Sequence, residues 1–216
     1  MQEVVIIGGK GTAINLAEQI EDARVRFGYP MRVYGFAIDD PALGQQIAGF
    51  PVLCGTQEAA RKYIDGDVQF LFALYRPDVM AQRVRLRDEL AIPPAHYATF
   101  VHPAAYVAPS VRIGHGSVVF AQSNIMSGVT IGCHVVINSG VSIEHDTEVG
   151  DSVFAAAGAV VGSFVKLGRG TFLGLGTTIR EKVVIGDFAF VGMGSVVLEH
   201  VPNTARVYGI PARVHA

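Results

Sequence analysis

Residues 113–149 read IGHGSVVFAQSNIMSGVTIGCHVVINSGVSIEHDTEV, in which Ile113, Val119, Ile125, Ile131, Ile137, Ile143 and Val149 stand six apart. Stepping by six in both directions extends the aliphatic series back to Val101 and forward to Val197, with Ala155 the single departure. The position four further on in each hexad, from Ala105 through Val129 and Thr147 to Val201, holds only Ala, Val, Ser or Thr. Glycine follows the aliphatic residue at 114, 132, 150, 162, 168, 174, 186 and 192, where a corner is expected to need a residue that tolerates unusual backbone angles. Ordinary strands alternate with period two between turns of irregular length, and do not hold a period of six over about a hundred residues. The pattern therefore predicts a solenoid of triangular cross-section. Each hexad supplies one short flat strand and one corner, with the aliphatic residue pointing inward and the small residue near the corner. Three hexads close a coil, so that Ile113 stacks under Ile131 and Ile131 under Val149, at a spacing of about 4.8 Å.

The rest of the composition narrows the possibilities. Of 216 residues 50% are hydrophobic, only 17% are charged and 25 are glycine, which describes a lightly charged, compact protein. A formal net charge of -2 leaves no electrostatic footprint for a polyphosphate backbone, so nucleic acid is not the expected partner. Cys54 and Cys133 lie 79 residues apart and form no CxxC, so neither a zinc ribbon nor a disulfide framework is indicated and a reducing cytoplasm is expected. The opening MQEVVIIGG has an acidic residue where a secretory signal needs positive charge. The 31 uncharged residues between Arg112 and Glu144 are broken by His115, Gln122, Asn124, His134 and Asn138, so no membrane span is expected.

Charge density changes near position 100: residues 1–100 carry 22 charged side chains and residues 101–201 carry 12. Before the change, apolar runs alternate with helical patterns. Strands are predicted at Val4–Ile7, Arg32–Ile38 and Val68–Ala73, and helices at Thr12–Phe27, Thr56–Tyr63 and Val79–Ala91. Such alternation implies a parallel sheet with crossover helices, an α/β Rossmann-like domain over 1–100 preceding an all-β helix over 101–216. Gly8-Gly9-Lys10-Gly11-Thr12-Ala13 follows a strand and opens a helix, the context of a dinucleotide-type turn, although it is not a full GxGxxG. Gly9, Lys10, Gly11 and Thr12 are thereby candidates for phosphate contact at a helix N-terminus. Asp39, ending the second strand, is placed to meet a ribose hydroxyl or a base.

The hexads, continued by Tyr208-Gly209-Ile210-Pro211-Ala212-Arg213 and preceded by a Rossmann-like domain, resemble the left-handed β-helix (hexapeptide-repeat) acyltransferases. Within them the chain is similar to the subgroup of sialic acid O-acetyltransferases and bacillosamine-pathway and perosamine N-acetyltransferases, over essentially its whole length. The resemblance implies an acetyl-CoA-dependent transferase of nucleotide-linked amino or deoxy sugars in surface-polysaccharide synthesis. It also implies a homotrimer with active sites at the clefts between prisms, and a nucleotide held in the N-terminal crevice. Three departures bear on the acceptor: Thr12 and Phe154 stand where members commonly have histidine, and Leu74-Tyr75-Arg76 replaces a Gly-Asp-Asn-like segment. Tyr75 is then a candidate to stack on a base and Arg76 to pair with a phosphate.

Acetyl transfer needs a base for the attacking group and donors for the developing oxyanion. His145, in Ile143-Glu144-His145-Asp146, is the candidate base, expected to project from a flat face, with Asp146 fixing its tautomer. Asn138, in Ile137-Asn138-Ser139-Gly140, matches an asparagine that the subgroup keeps near its active-site histidine. One coil beyond His145, Gly162-Ser163 is the candidate oxyanion donor and coenzyme contact. His102, His115 and His200 read as plain surface residues, and no histidine pair has the five-residue spacing of a γ-type carbonic anhydrase, so no metal is expected. A zinc-dependent relative of that kind and a non-catalytic ligand-binding prism are the alternative readings.

Overall fold

The computed structural model describes residues 1–215. The chain begins with β1 (Gln2–Ile7), α1 (Thr12–Phe27), β2 (Met31–Ala37), β3 (Gln46–Ile47), β4 (Phe50–Cys54), α2 (Thr56–Tyr63), β5 (Gln69–Phe72) and α3 (Met80–Glu89). The five strands form one sheet in the order β3-β4-β2-β1-β5, parallel except for β3. Val4 to Ile7 are completely buried because β1 is central and covered on both faces. Ala13, Leu16, Ala17, Ile20 and Ala23 make the buried stripe of α1, which stops at Gly28 in the left-handed conformation (φ 67°). Helices α1 and α2 span the residues that periodicity predicts. The β3–β4 hairpin is an addition: β3 has only two residues, too few to show alternation, and Pro51 interrupts the strand signal of β4.

From Phe100 onward, two-residue strands stack into the three sides of a prism. One side holds Phe100–Val101, Val118–Val119, Val136–Ile137, Phe154–Ala155, Phe172–Leu173 and Phe190–Val191; it is called the covered face because β1, α1 and α3 pack on it. The next side, from Tyr106–Val107 through Ser142–Ile143 and Val160–Val161 to Val196–Val197, presents no charged side chain from its strands and is called the neutral face. The third, from Arg112–Ile113 through Glu148–Val149 and Lys166–Leu167 to Val184–Ile185, is the charged face, where Lys166 Nζ meets Glu148 Oε1 at 2.9 Å. The second residue of each strand is the hexad aliphatic and points inward: Ile125, Ile137, Val161, Leu173 and Ile185 are fully buried. At about 25 cal/mol per Å² of apolar surface, this single stacked core is the main source of prism stability.

Glycine serves the corners differently from the sequence expectation. The residue with positive φ is the third after the aliphatic one, as at Gly128, Gly140 and Gly158, and Gln122, His134, Asp146 and Phe164 adopt the same conformation without being glycine. The glycines directly after the aliphatic residue owe their identity to stacking. A Cβ on Gly150 would lie 2.8 Å from the Leu167 carbonyl oxygen, and one on Gly114 2.6 Å from the Gly132 carbonyl carbon.

The first part of the chain is fastened to the prism at both edges of the covered face. Gln19 of α1 accepts from the Ala121 N–H at 2.8 Å and donates to Ser139 Oγ at 3.1 Å. Arg87 of α3, buried, donates to Ser152 Oγ at 2.6 Å. His102 is not a surface residue: it is buried, its Nδ1 accepts from the Ala104 N–H at 3.0 Å, and so its Nε2–H is directed to Asp22 on α1 at 3.1 Å.

Candidate active site

His145 lies in the turn between Ser142–Ile143 and Glu148–Val149, so it stands at the corner between the neutral and charged faces rather than on a flat face. A corner suits a base better, because its side chain is 46% exposed and approachable from two sides. Asp146 adopts a positive φ of 59°, and its Oδ2 lies 2.9 Å from His145 Nδ1. With Nδ1–H donated to this carboxylate, Nε2 carries the free lone pair. One coil on, the Phe164 ring meets the imidazole edge-on at 5.2 Å while remaining half exposed. Sequence reasoning missed Phe164; its one signal is a bulky side chain at a corner position that glycine often fills.

Of the Gly162-Ser163 pair, the Gly162 N–H is spent on the Ile179 carbonyl at 2.9 Å, which removes it as an oxyanion donor. The Ser163 N–H donates no hydrogen bond among the described residues. Asn138 is not brought to His145. It lies at the corner between the covered and neutral faces, where its Nδ2 donates to the Ala155 carbonyl at 2.9 Å and its own carbonyl accepts from Ser123 Oγ at 2.9 Å.

The N-terminal crevice, about 510 Å³, opens at the start of α1 and is lined by Gly9, Lys10, Gly11, Thr12, Tyr75 and Arg76 among others. Two of the residues expected there do other work. Both oxygens of Asp39 accept from Thr56, from its N–H at 2.9 Å and its hydroxyl at 2.7 Å, so Asp39 caps the start of α2. Its neighbour Asp40 lines the crevice instead, 2.8 Å from Lys10 Nζ. Tyr75 is no free stacking platform: its hydroxyl donates to the His134 carbonyl at 2.7 Å, and its ring packs on Phe72 and Phe154. Burial raises its phenolic pKa, which keeps the hydroxyl a donor. Arg76 pairs with Asp78 at 2.5 Å. Arg83 of α3, not anticipated, also lines the crevice, and its Nε is buried with no partner.

The crevice and His145 lie on opposite sides of the chain. Tyr75 seats the crevice on the covered face, whereas His145 occupies the one corner that does not border that face. A larger but more open concavity of about 760 Å³ runs along the charged face with Asp146 among its lining residues, and it is the open side of the prism between two corner ridges. His134 and His145 fall at different corners, and among the described residues no group of three or more His, Cys, Asp or Glu side chains is placed to hold a metal ion. No described helix is long and apolar enough to cross a membrane.

The fold is a left-handed β-helix of hexapeptide repeats behind an N-terminal α/β unit, and solved sugar acetyltransferases share it from end to end. Perosamine N-acetyltransferase from Caulobacter crescentus, solved as a histidine-to-asparagine mutant with CoA and GDP-perosamine, is 27% identical; the match covers 100% of this chain and 98% of that one, with a TM-score of 0.87. WeeI from Acinetobacter baumannii AYE is 25% identical over 100% of both chains, with a TM-score of 0.77. The acetyltransferase domain of PglB from Neisseria gonorrhoeae FA1090, solved with acetyl coenzyme A, shares the fold over 99% of both chains at 24% identity, with a TM-score of 0.82. Neither the family models nor the curated proteins compared with the chain give a match.

Proposed function

We propose that the chain is an acetyl-CoA-dependent acetyltransferase acting on a nucleotide-linked sugar, with His145 as general base. The observation that carries this reading is the His145–Asp146 pair at an exposed corner of a chain that matches, end to end, a sugar N-acetyltransferase solved with CoA and GDP-perosamine. Acetyl-CoA supplies the activated acyl group. Nε2 of His145 takes the proton of the attacking amine or hydroxyl as that group bonds to the acyl carbon, Asp146 holds the tautomer and stabilises the imidazolium that results, and the imidazolium returns the proton to the coenzyme A sulfur as the thioester C–S bond breaks. The unspent Ser163 N–H is the donor available for the charge that develops on the acyl oxygen.

The crevice faces away from His145 of its own chain, so an acceptor held there meets a base only from a neighbouring copy. This supports a homotrimer in which the cleft between prisms unites the crevice of one copy with the His145 corner of the next. The neutral face, bearing Asn124, Ser142, Val160, Thr178 and Val196, suits burial against such a copy, and the charged face suits water. Coenzyme A would lie in the same cleft. There the corner bounding the neutral face exposes Leu175 and Met193 beside Gly176 and Gly194, around which a Cβ would meet open space. Cytoplasmic sugar activation is the setting that this chemistry fits.

Thiol release from acetyl-CoA, measured against UDP-, GDP-, dTDP- and CMP-linked amino and hydroxy sugars, tests the reading. The expected result is turnover with one nucleotide class, and the responding sugars separate amine from hydroxyl acceptors. Silence across the panel while coenzyme A still binds would replace the transferase with a ligand-binding prism.

A further inference from the structure

Arg83 has no explained role in the fold. It projects from α3 into the crevice, is half-buried, and its side chain forms no hydrogen bond or ion pair among the described residues; its Nε has no partner although it is shut off from water. A buried guanidinium nitrogen without an acceptor is costly, and native structures keep few of them outside sites that bind something. Of the crevice's three cations, Lys10 pairs with Asp40 at 2.8 Å and Arg76 with Asp78 at 2.5 Å, whereas Arg83, whose charge also acts on Asp78, has no ion pair of its own. Three cations facing two carboxylates leave the crevice one positive charge in excess, and Arg83 is the cation free to use it. On the opposite lip the N–H groups of Gly11 and Thr12, at the start of the 16-residue α1, donate to nothing.

We propose that Arg83 is the specificity-determining residue that makes this crevice select a nucleoside diphosphate-linked acceptor over a nucleoside monophosphate-linked one. The proposal rests on the nucleotide-sugar reading above and adds the phosphate count to it. A diphosphate linkage brings two negative charges, one for the N–H groups of α1 and one for the planar fork of Arg83, whose Nε and one Nη match two phosphate oxygens side by side. A monophosphate linkage brings a single charge and leaves one of the two lips unsatisfied.

Titration calorimetry on the full chain tests this with matched pairs, GDP and GMP, UDP and UMP, dTDP and dTMP, CDP and CMP. For the base that binds, the wild type is expected to hold the diphosphate about tenfold or more tighter than the monophosphate. Arg83→Gln should reduce that ratio to about threefold or less, Arg83→Lys should restore part of it, and neither should change the affinity for coenzyme A. The ratio, unlike absolute affinity, is insensitive to a general loosening of the fold. A preference retained in Arg83→Gln, with nucleotides still bound, overturns the role of Arg83 alone. Displacement of the bound diphosphate by coenzyme A assigns the crevice to the donor's own diphosphate and overturns the proposal. Binding of coenzyme A with no nucleotide bound at all overturns both the proposal and the nucleotide-sugar reading beneath it.

Discussion

At the scale of single residues, the chain separates histidines by where the prism puts them. His145 stands exposed at a corner with its tautomer set by Asp146, while His134 is buried in a cage of Tyr97 and His115, with ring centroids 4.4 and 5.0 Å away. Burial, with Arg87 and His115 nearby, lowers the pKa of His134 to about 3, so the native state keeps it neutral. The unfolded chain protonates the same group near 6.5. Because the folded value is the lower one, stability is full above about pH 6.5 and is lost as pH falls from there toward 3. The loss from this one group approaches about 1.4 kcal/mol per pH unit. Chemical denaturation between pH 7 and 4 should show the wild type losing stability faster than His134→Asn, and parallel curves would remove His134 as the cause. The pairing of His145 with Asp146 was readable in the hexads. The tasks of Asp39 and Tyr75 were not, because each is spent on an atom distant in sequence: Thr56 for one, the His134 carbonyl for the other. Arg83 was hidden for the same reason, since an unpaired cation is known only once the partners of every other charge are known.

At the scale of the strand and corner, a period of six reports the architecture directly, because each hexad must put one aliphatic residue into a core shared with the coils above and below. The register is therefore legible to the residue: every inward position from Val119 to Val197 is the one that the period predicts. The corners are less legible, since glycine occurs in them for two reasons that sequence does not separate, left-handed backbone at Gly128 or Gly140 and coil-to-coil stacking at Gly150. The second reason makes a prediction. Gly150→Ala drives a methyl group into the Leu167 carbonyl and the Arg169 N–H, 2.8 and 2.9 Å from the new Cβ, and should cost about 1–3 kcal/mol in equilibrium unfolding. Alanine at Gly176, where a Cβ meets nothing, keeps only the left-handed penalty of about 1–2 kcal/mol. Thermal melts that rank Gly176→Ala as the more damaging would contradict the stacking explanation.

At the scale of the whole molecule, the proposed transferase requires assembly, because the crevice and His145 lie on opposite sides of one chain. Light scattering should give about 69 kDa, three times the 23.0 kDa chain. Thr178→Glu, which puts charge on the neutral face, should shift the mass toward the single chain and abolish transfer. A fully active 23 kDa species would contradict the shared cleft. This level was the least legible in the sequence, because composition marks a face as uncharged without saying what lies against it, and the separation of Thr12 from His145 appears only when α1 is seen packed on the covered face. The central claim, that His145 is the base, is tested most directly by the turnover of His145→Ala with the best acceptor, alongside its affinity for coenzyme A. The expected result is a fall in kcat of about 10²–10⁴ with that affinity unchanged, as for removal of a general base from an exposed corner. Undiminished turnover in the variant would take His145 out of the mechanism.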